Sequence, residues 1–221
     1  MSWTYYWAAD GHTQQPRYNQ FDYKGCHVGC GPVAWGILFG WADRQAELGN
    51  QYWRGRWGIY REHGGRGANA VAPLHMDEGV RNMIREIRDH VNTFCVPGGQ
   101  GATLPAKMDG ARKYLSGRTG TSLKTEYSNM GISLTKCREN ARNSIRDRKT
   151  PAIIGTGWLV HYPVAYGYRW RSRVIRRGWG PFSWSETVYD RYFSVNQGWG
   201  GSGNGNDWVE ASTWFSGEIY P

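Results

Sequence analysis

No stretch of this sequence is apolar for long enough to cross a bilayer. The longest apolar run, Val33 to Trp41, meets Asp43 and Arg44 at once, far short of the ~20 residues a spanning helix needs. A membrane span is therefore not expected. Met1-Ser2-Trp3 lacks the basic start and apolar core of a secretory signal. That start fits either a cytosolic protein or a mature secreted form, and the secreted form is the expectation carried forward. Acidic residues are scarce: 18 stand against 27 basic ones, for a net charge of +9. The excess gathers in Arg138–Lys149 and Arg169–Arg177. Such a balance invites a nucleic-acid partner, but no zinc-finger spacing, RNA-recognition signature or leucine heptad accompanies it. The two runs read as a solvated helix face and a charged hairpin, and nucleic acid is not expected as a partner.

Cysteine is also sparse, at four: Cys26, Cys30, Cys95 and Cys137. If Cys30 is a free nucleophile, at most one disulfide forms and one thiol is left over. Cys26 is the expected bridge member, with Cys95 or Cys137 as its partner. The Cys26–Cys30 spacing is not the C-x-x-C of thioredoxin-like proteins. A metal site built from Cys26, His27 and Cys30 lacks a second ligand cluster, so neither a metal nor a cofactor is expected. What the chain has in plenty is aromatic residues and glycine, with 13 Trp, 14 Tyr and 31 Gly in 221 residues. That composition suggests an aromatic-packed, loop-rich globule.

The most informative stretch is Gly29-Cys30-Gly31-Pro32-Val33-Ala34-Trp35. Proline suits the first turn of a helix, where its missing N–H costs no bond. Cys30 is thus expected at or just before a helix N-terminus, where unpaired N–H groups and the helix dipole favour the nucleophilic thiolate. Gly36 and Gly40 would let that helix bury closely against its neighbours.

Along the chain, residues 1–25 read as an extended arm, and Pro32 to about Leu48 as the first helix, ended by Gly49-Asn50. Residues 51–73 read as a long surface loop. A helical period runs from Met76 to Phe94 and is stopped at Val96-Pro97-Gly98-Gly99. Leu104-Pro105 opens a shorter helix through Leu115, Leu123–Tyr127 is a short strand, and Ser133 or Thr135 caps a helix to about Asp147. After Pro151 the pattern turns to strands: Ala152–Gly155, His161–Tyr168, a basic hairpin of Arg169–Val174 against about Thr187–Val195, and Asp207–Ala211 as the last. Helices first and sheet second is an α+β order. The expectation is one catalytic domain over residues 1–221, with a mainly helical lobe (about 18–150) and a β-rich lobe (151–221).

A thiol nucleophile needs a base, and the base needs orienting. His161 is the best-placed histidine, at the mouth of the apolar strand His161-Tyr162-Pro163-Val164-Ala165-Tyr166-Gly167-Tyr168. Val195-Asn196-Gln197-Gly198-Trp199-Gly200-Gly201 follows. Its asparagine at a strand end would accept from the imidazole, and Trp199 would shield that bond from water.

These three motifs resemble those of papain-fold cysteine peptidases, in particular the streptopain-like and bacteriocin-leader-processing branches. Gly29-Cys30-Gly31-Pro32 is similar to the leader-peptidase nucleophile turn. The histidine strand ending in Gly167-Tyr168, and the Asn196 turn with its Trp-Gly-Gly, are similar to those of streptopain. His161 follows Cys30 by 131 residues, within the roughly 130–150 that separate the pair in papain and cathepsins. The resemblance implies a two-lobe papain-like α+β fold with Cys30 as nucleophile, His161 as general base and acid, and Asn196 as the orienting residue. It also implies Gln20 as an oxyanion donor beside the Cys30 amide; ten residues separate Gln20 from Cys30, and a loop holding Cys26 would absorb the difference. The papain Cys-Gly-Ser-Cys-Trp signature is absent, and Gln197 stands where relatives place Trp or Ser.

The function so implied is hydrolysis of peptide bonds in a protein or peptide substrate through a thioacyl-enzyme, in a bacterial-type enzyme or effector. Two alternatives stand beside it. One is another thiol acyl-transfer activity on the same fold: amidase, deamidase, isopeptidase or toxin. The other is a non-catalytic binder that uses the aromatic arm (Trp3, Tyr5, Tyr6, Trp7) and loop (Tyr52, Trp53, Trp57, Tyr60).

Overall fold

Helix α1, Cys30–Glu47, runs through the interior. Its sequence is apolar round the whole circumference from Val33 to Ala42, which suits a helix buried on every side. Pro32 stands in its first turn, and the helix begins two residues earlier than the proline alone suggests. The small residues make the expected close contacts: a methyl group on Gly36 would lie 2.9 Å from Ile84, and one on Gly40 2.6 Å from the Tyr18 hydroxyl. The computed structural model describes residues 2–11, 13–56, 58–60, 71–116, 120–128, 134–157, 161–200 and 207–221.

Against α1 packs α2, Glu78–His90. The Asp77 carboxylate caps it by accepting the Val80 N–H at 2.7 Å, and Val80, Met83, Ile84 and Ile87 supply its buried stripe. The helical period read from Met76 to Phe94 is thus shorter at both ends. Phe94–Val96 (β4) instead pairs with Gln100–Ala102 (β5) across a turn built on Pro97, Gly98 and Gly99. A 3-10 turn at Pro105–Ala111 then runs into α3, Arg112–Leu115, and β6 covers Ser122–Tyr127. Helix α4 spans Leu134–Asp147, so Thr135 lies inside it rather than capping it; Ser133 lies outside the described residues.

The main sheet is antiparallel throughout. Its remaining strands are β1 (Thr4–Trp7), β7 (Ala152–Ile154), β8 (Val164–Arg177), β9 (Trp184–Asn196), β10 (Asp207–Glu210) and β11 (Phe215–Tyr220). The order is β10-β9-β8-β7-β11-β6, with β1 added alongside β8. The architecture is α+β, as expected, but β1 and β6 come from outside the 151–221 segment in which the sheet was expected. The sequence reading also stopped at Asp207–Ala211, whereas β11 lies beyond it and pairs on both sides. Alternation along β7 divides two cores. Ile153 joins the core around α1, while Ala152 and Ile154 join a smaller one beneath α4 with Ala141 and Ile145.

The region read as a surface loop at 51–73 is partly interior. Trp53, Ile59 and Tyr60 are buried, and Asp43 on α1 accepts the N–H groups of Gly58, Ile59 and Tyr60 at 2.9, 2.9 and 3.1 Å. Trp53 and Tyr60 are therefore not available for stacking on a ligand, as the binding alternative required. Trp57 lies outside the described residues.

Candidate active site

Cys30 is the first residue of α1, after Gly29 at φ 97°. A side chain at Gly29 would be strained by that backbone and would also meet the Gly101 carbonyl at 3.1 Å. The glycine before the cysteine is required by this turn. Gln20, ten residues upstream, is brought back to the same place by a hairpin. Asp22–Tyr23 (β2) pairs with Cys26–His27 (β3), and the Val28 N–H donates to the Phe21 carbonyl at 2.8 Å. The intervening residues fold out as a two-stranded finger, leaving Gln20 near Gly29 and Cys30 along the backbone. Gln20 Oε1 is buried without a hydrogen-bond partner among the described residues. The finger is pinned by a disulfide from Cys26 to Cys95 in β4, while Cys30 and Cys137 lie outside any disulfide. Of the two partners open to Cys26, the structure selects Cys95.

His161 comes from 131 residues further along the chain than Cys30. It bridges Thr156 just before β8, with the Thr156 N–H donating to its carbonyl at 3.0 Å. The next residue, Tyr162, places its backbone N–H against the Cys30 sulfur. Tyr162 is itself fixed by its hydroxyl, which donates to the Thr103 carbonyl at 2.9 Å. Trp199 stacks on the imidazole with ring centroids 5.5 Å apart and planes 28° apart. It covers the ring while remaining 67% exposed itself. A bridge between Asn19 and Trp199 ties the Gln20 segment to this same loop.

The two residues at the end of β9 have different tasks. Asn196 is buried; its Oδ1 accepts the Gly198 N–H at 2.9 Å and its Nδ2 donates to the Pro16 carbonyl at 3.0 Å. Gln197 hydrogen-bonds the His161 imidazole through both its side chain and its backbone. Nε2 of that ring is buried and has no hydrogen-bond partner among the described residues. The sequence reading gave the orienting role to Asn196 and passed over Gln197. One signal was present: Asn-x-Gly is the pattern of an asparagine that bonds its own backbone two residues on.

Electrostatics depart from the sequence expectation in a second way. The N–H groups of Tyr162, Cys30 and Gly31 favour the thiolate, but burial outweighs them and pushes the Cys30 thiol above its ordinary value. Burial also lowers the His161 pKa, against the upward pull of the Gln197 bonds. Both shifts favour the neutral forms, thiol and imidazole. The helix N-terminus does not by itself make a thiolate here.

Among the described residues, no group of three or more His, Cys, Asp or Glu side chains is placed to hold a metal. Cys26 is also committed to its disulfide, which removes it from any ligand set with His27. No helix among the described residues is long and apolar enough to cross a membrane.

No protein-family model matches the sequence, and neither does any curated protein. Among solved structures, the fold is similar to that of a prointerpain A fragment from Prevotella intermedia, a papain-like cysteine peptidase determined as a cysteine-to-alanine variant. The match has a TM-score of 0.50 and 13% sequence identity, and it covers 93% of this chain and 70% of that one. The likeness is one of fold: this chain shares, at a distance, the architecture of a papain-like peptidase.

Proposed function

We propose that the chain is a cysteine peptidase that cleaves peptide bonds in a protein or peptide substrate, acting as one catalytic domain. The observation that carries the reading is the meeting of Cys30 with the backbone of Tyr162, immediately beside His161. A thiol outside any disulfide thus meets the residue next to a histidine 131 positions further on, and one nitrogen of that ring has no partner among the described residues.

In the first step the unpartnered nitrogen of His161 takes the Cys30 proton as the sulfur attacks the substrate carbonyl carbon. The negative charge moves to the carbonyl oxygen, where the Cys30 N–H and the Gln20 side-chain amide act as donors. The C–N bond breaks as His161 returns the proton to the leaving amine. Water then attacks the thioester, giving its proton to His161, and the acid leaves as the thiol is restored. Gln197 holds the imidazole plane through the cycle, and Trp199 keeps bulk water off one face. The Cys26–Cys95 disulfide supports a site of action outside the reducing cytosol.

The test is intact-mass spectrometry after brief exposure to an irreversible thiol-reactive epoxide, on wild type and His161→Ala, alongside peptide hydrolysis by wild type and Cys30→Ala. Single labelling at Cys30 that is lost in His161→Ala, with hydrolysis lost in Cys30→Ala, is the expected result. A Cys30 that is reduced yet unlabelled, or hydrolysis surviving Cys30→Ala, overturns the proposal.

A further inference from the structure

The hairpin of β8 and β9 extends well past the sheet that supports it. β1 pairs with β8 only from Gly167 to Trp170, and β10 pairs with β9 only from Tyr192 to Val195. From Arg171↔Asp190 to Arg177↔Trp184 the two strands pair with each other alone. Seven residues of strand at about 3.4 Å each project roughly 20 Å. A two-stranded ribbon with no third layer is marginal in water, and this one has no core under which to hide apolar side chains. Its tip nevertheless carries them, with Trp179 87% exposed, Phe182 81% and Trp184 59%. Exposed large aromatics grouped on one projection mark an interaction site rather than scatter.

Cations stand directly behind the aromatics. Between Arg169 and Arg191 the hairpin holds six arginines against two carboxylates, Glu186 and Asp190. Those carboxylates are already engaged: Asp190 by Arg171 and Arg173, Glu186 by Arg177. Arg176, nearest the tip on the opposite face, bonds the Ser183 hydroxyl at 2.7 Å, a neutral partner that leaves its charge uncompensated. The tip is the short 3-10 turn at Gly180–Phe182, and its exposed aromatics cluster around that turn rather than lining up along a strand on which successive bases would stack. An apolar point with a cationic collar matches a lipid interface instead. There tryptophan and phenylalanine enter the headgroup boundary and arginine meets lipid phosphate.

We propose that the tip, Gly178–Trp184, docks the protein on an anionic membrane surface, inserting Trp179 and Phe182 while Arg176 pairs with headgroup phosphate. The catalytic residues are not part of this surface.

The test is co-sedimentation of the whole chain with vesicles of phosphatidylcholine mixed with phosphatidylglycerol, and with vesicles of phosphatidylcholine alone. Wild type is expected to sediment with the mixed vesicles and much less with the neutral ones, and high salt should weaken the binding. Trp179→Ser and Phe182→Ser should each lower the partition coefficient by about tenfold, and Arg176→Glu should lower it on mixed vesicles only. Unchanged melting temperature in each variant shows that the fold is intact. Failure of wild type to sediment, or binding unaffected by both aromatic substitutions, overturns the proposal. So does single-stranded DNA binding that requires Trp179 while vesicle binding does not.

Discussion

The imidazole of His161 is hydrogen-bonded by Gln197, while the neighbouring Asn196 spends its amide on Gly198 and Pro16. The two adjacent residues should therefore fail in different ways. Gln197→Ala frees the imidazole to rotate, and is expected to lower kcat by roughly ten- to a hundredfold with little change in KM or melting temperature. Asn196→Ala leaves a buried N–H and a buried carbonyl unpaired, at about 1–3 kcal/mol each, so its main effect should be a lower melting temperature. Steady-state kinetics and thermal melts on both variants check this. A kcat loss in Asn196→Ala that exceeds the Gln197→Ala loss, with an intact melt, would restore the orienting role to Asn196.

The shift of both groups toward their neutral forms makes a prediction about pH. Because the Cys30 pKa is raised, thiolate accumulates only as pH climbs beyond the ordinary thiol range. The rate of Cys30 alkylation by iodoacetamide should rise steadily with pH through neutrality. A thiolate–imidazolium pair would instead give a plateau across mildly acidic and neutral pH. The lowered His161 pKa has its own sign for stability: the imidazole is neutral in the fold and protonates more readily when unfolded. Stability from this residue is lost as pH falls through about 6.5, its unfolded value, toward the lower folded one. His161→Gln should flatten that part of the stability profile.

Helix α1 was legible because its signals agree: proline in the first turn, small residues at close contacts and an apolar run with no break. The basic hairpin was legible as a strand pair too, though its strands run further than read, Val164–Arg177 against Trp184–Asn196. Strand β11 was not, because its centre is Ser216, Gly217 and Glu218, all of them buried. Polar side chains buried inside a sheet erase the alternation on which strand reading depends. The separation of Gln20 from Cys30 looked long in sequence only because a hairpin, not a loop, fills it. Gln197 escaped notice because the contact that distinguishes it from Asn196 is a side-chain direction, which no spacing encodes.

The Cys26–Cys95 disulfide should serve stability and the site together. It closes a separation of 69 residues, for which chain entropy gives about 4 kcal/mol. It also anchors the finger that returns the Gln20 segment toward Gly29 and Cys30. Cys95→Ser, or mild reduction, should lower the melting temperature and reduce kcat, while Cys137→Ser, at a buried thiol remote from both, should leave kcat unchanged. Equal kcat in wild type and Cys95→Ser at a temperature where both are folded would separate the bridge from the site.

Asp43 gives the sharpest stability test, because its carboxyl is fully buried and still ionisable near neutrality. Burial pushes its pKa up from 3.8 to about 7, outweighing N–H bonds from Gly58, Ile59 and Tyr60 that pull it down. A raised folded pKa means that the stabilising contribution is complete below the unfolded value of 3.8 and is lost as pH rises through about 7. The full span amounts to about 4 kcal/mol. Asp43→Asn removes the titration but turns an amide donor toward the N–H groups that Asp43 accepts, costing about 1–3 kcal/mol. Wild type should therefore melt well above the variant in mild acid, and the gap should narrow as pH approaches and passes neutrality. Thermal melts of the two proteins across that range measure the difference directly. A gap that stays constant with pH would mean that Asp43 is ionised throughout and that its N–H donors, not its burial, set its charge.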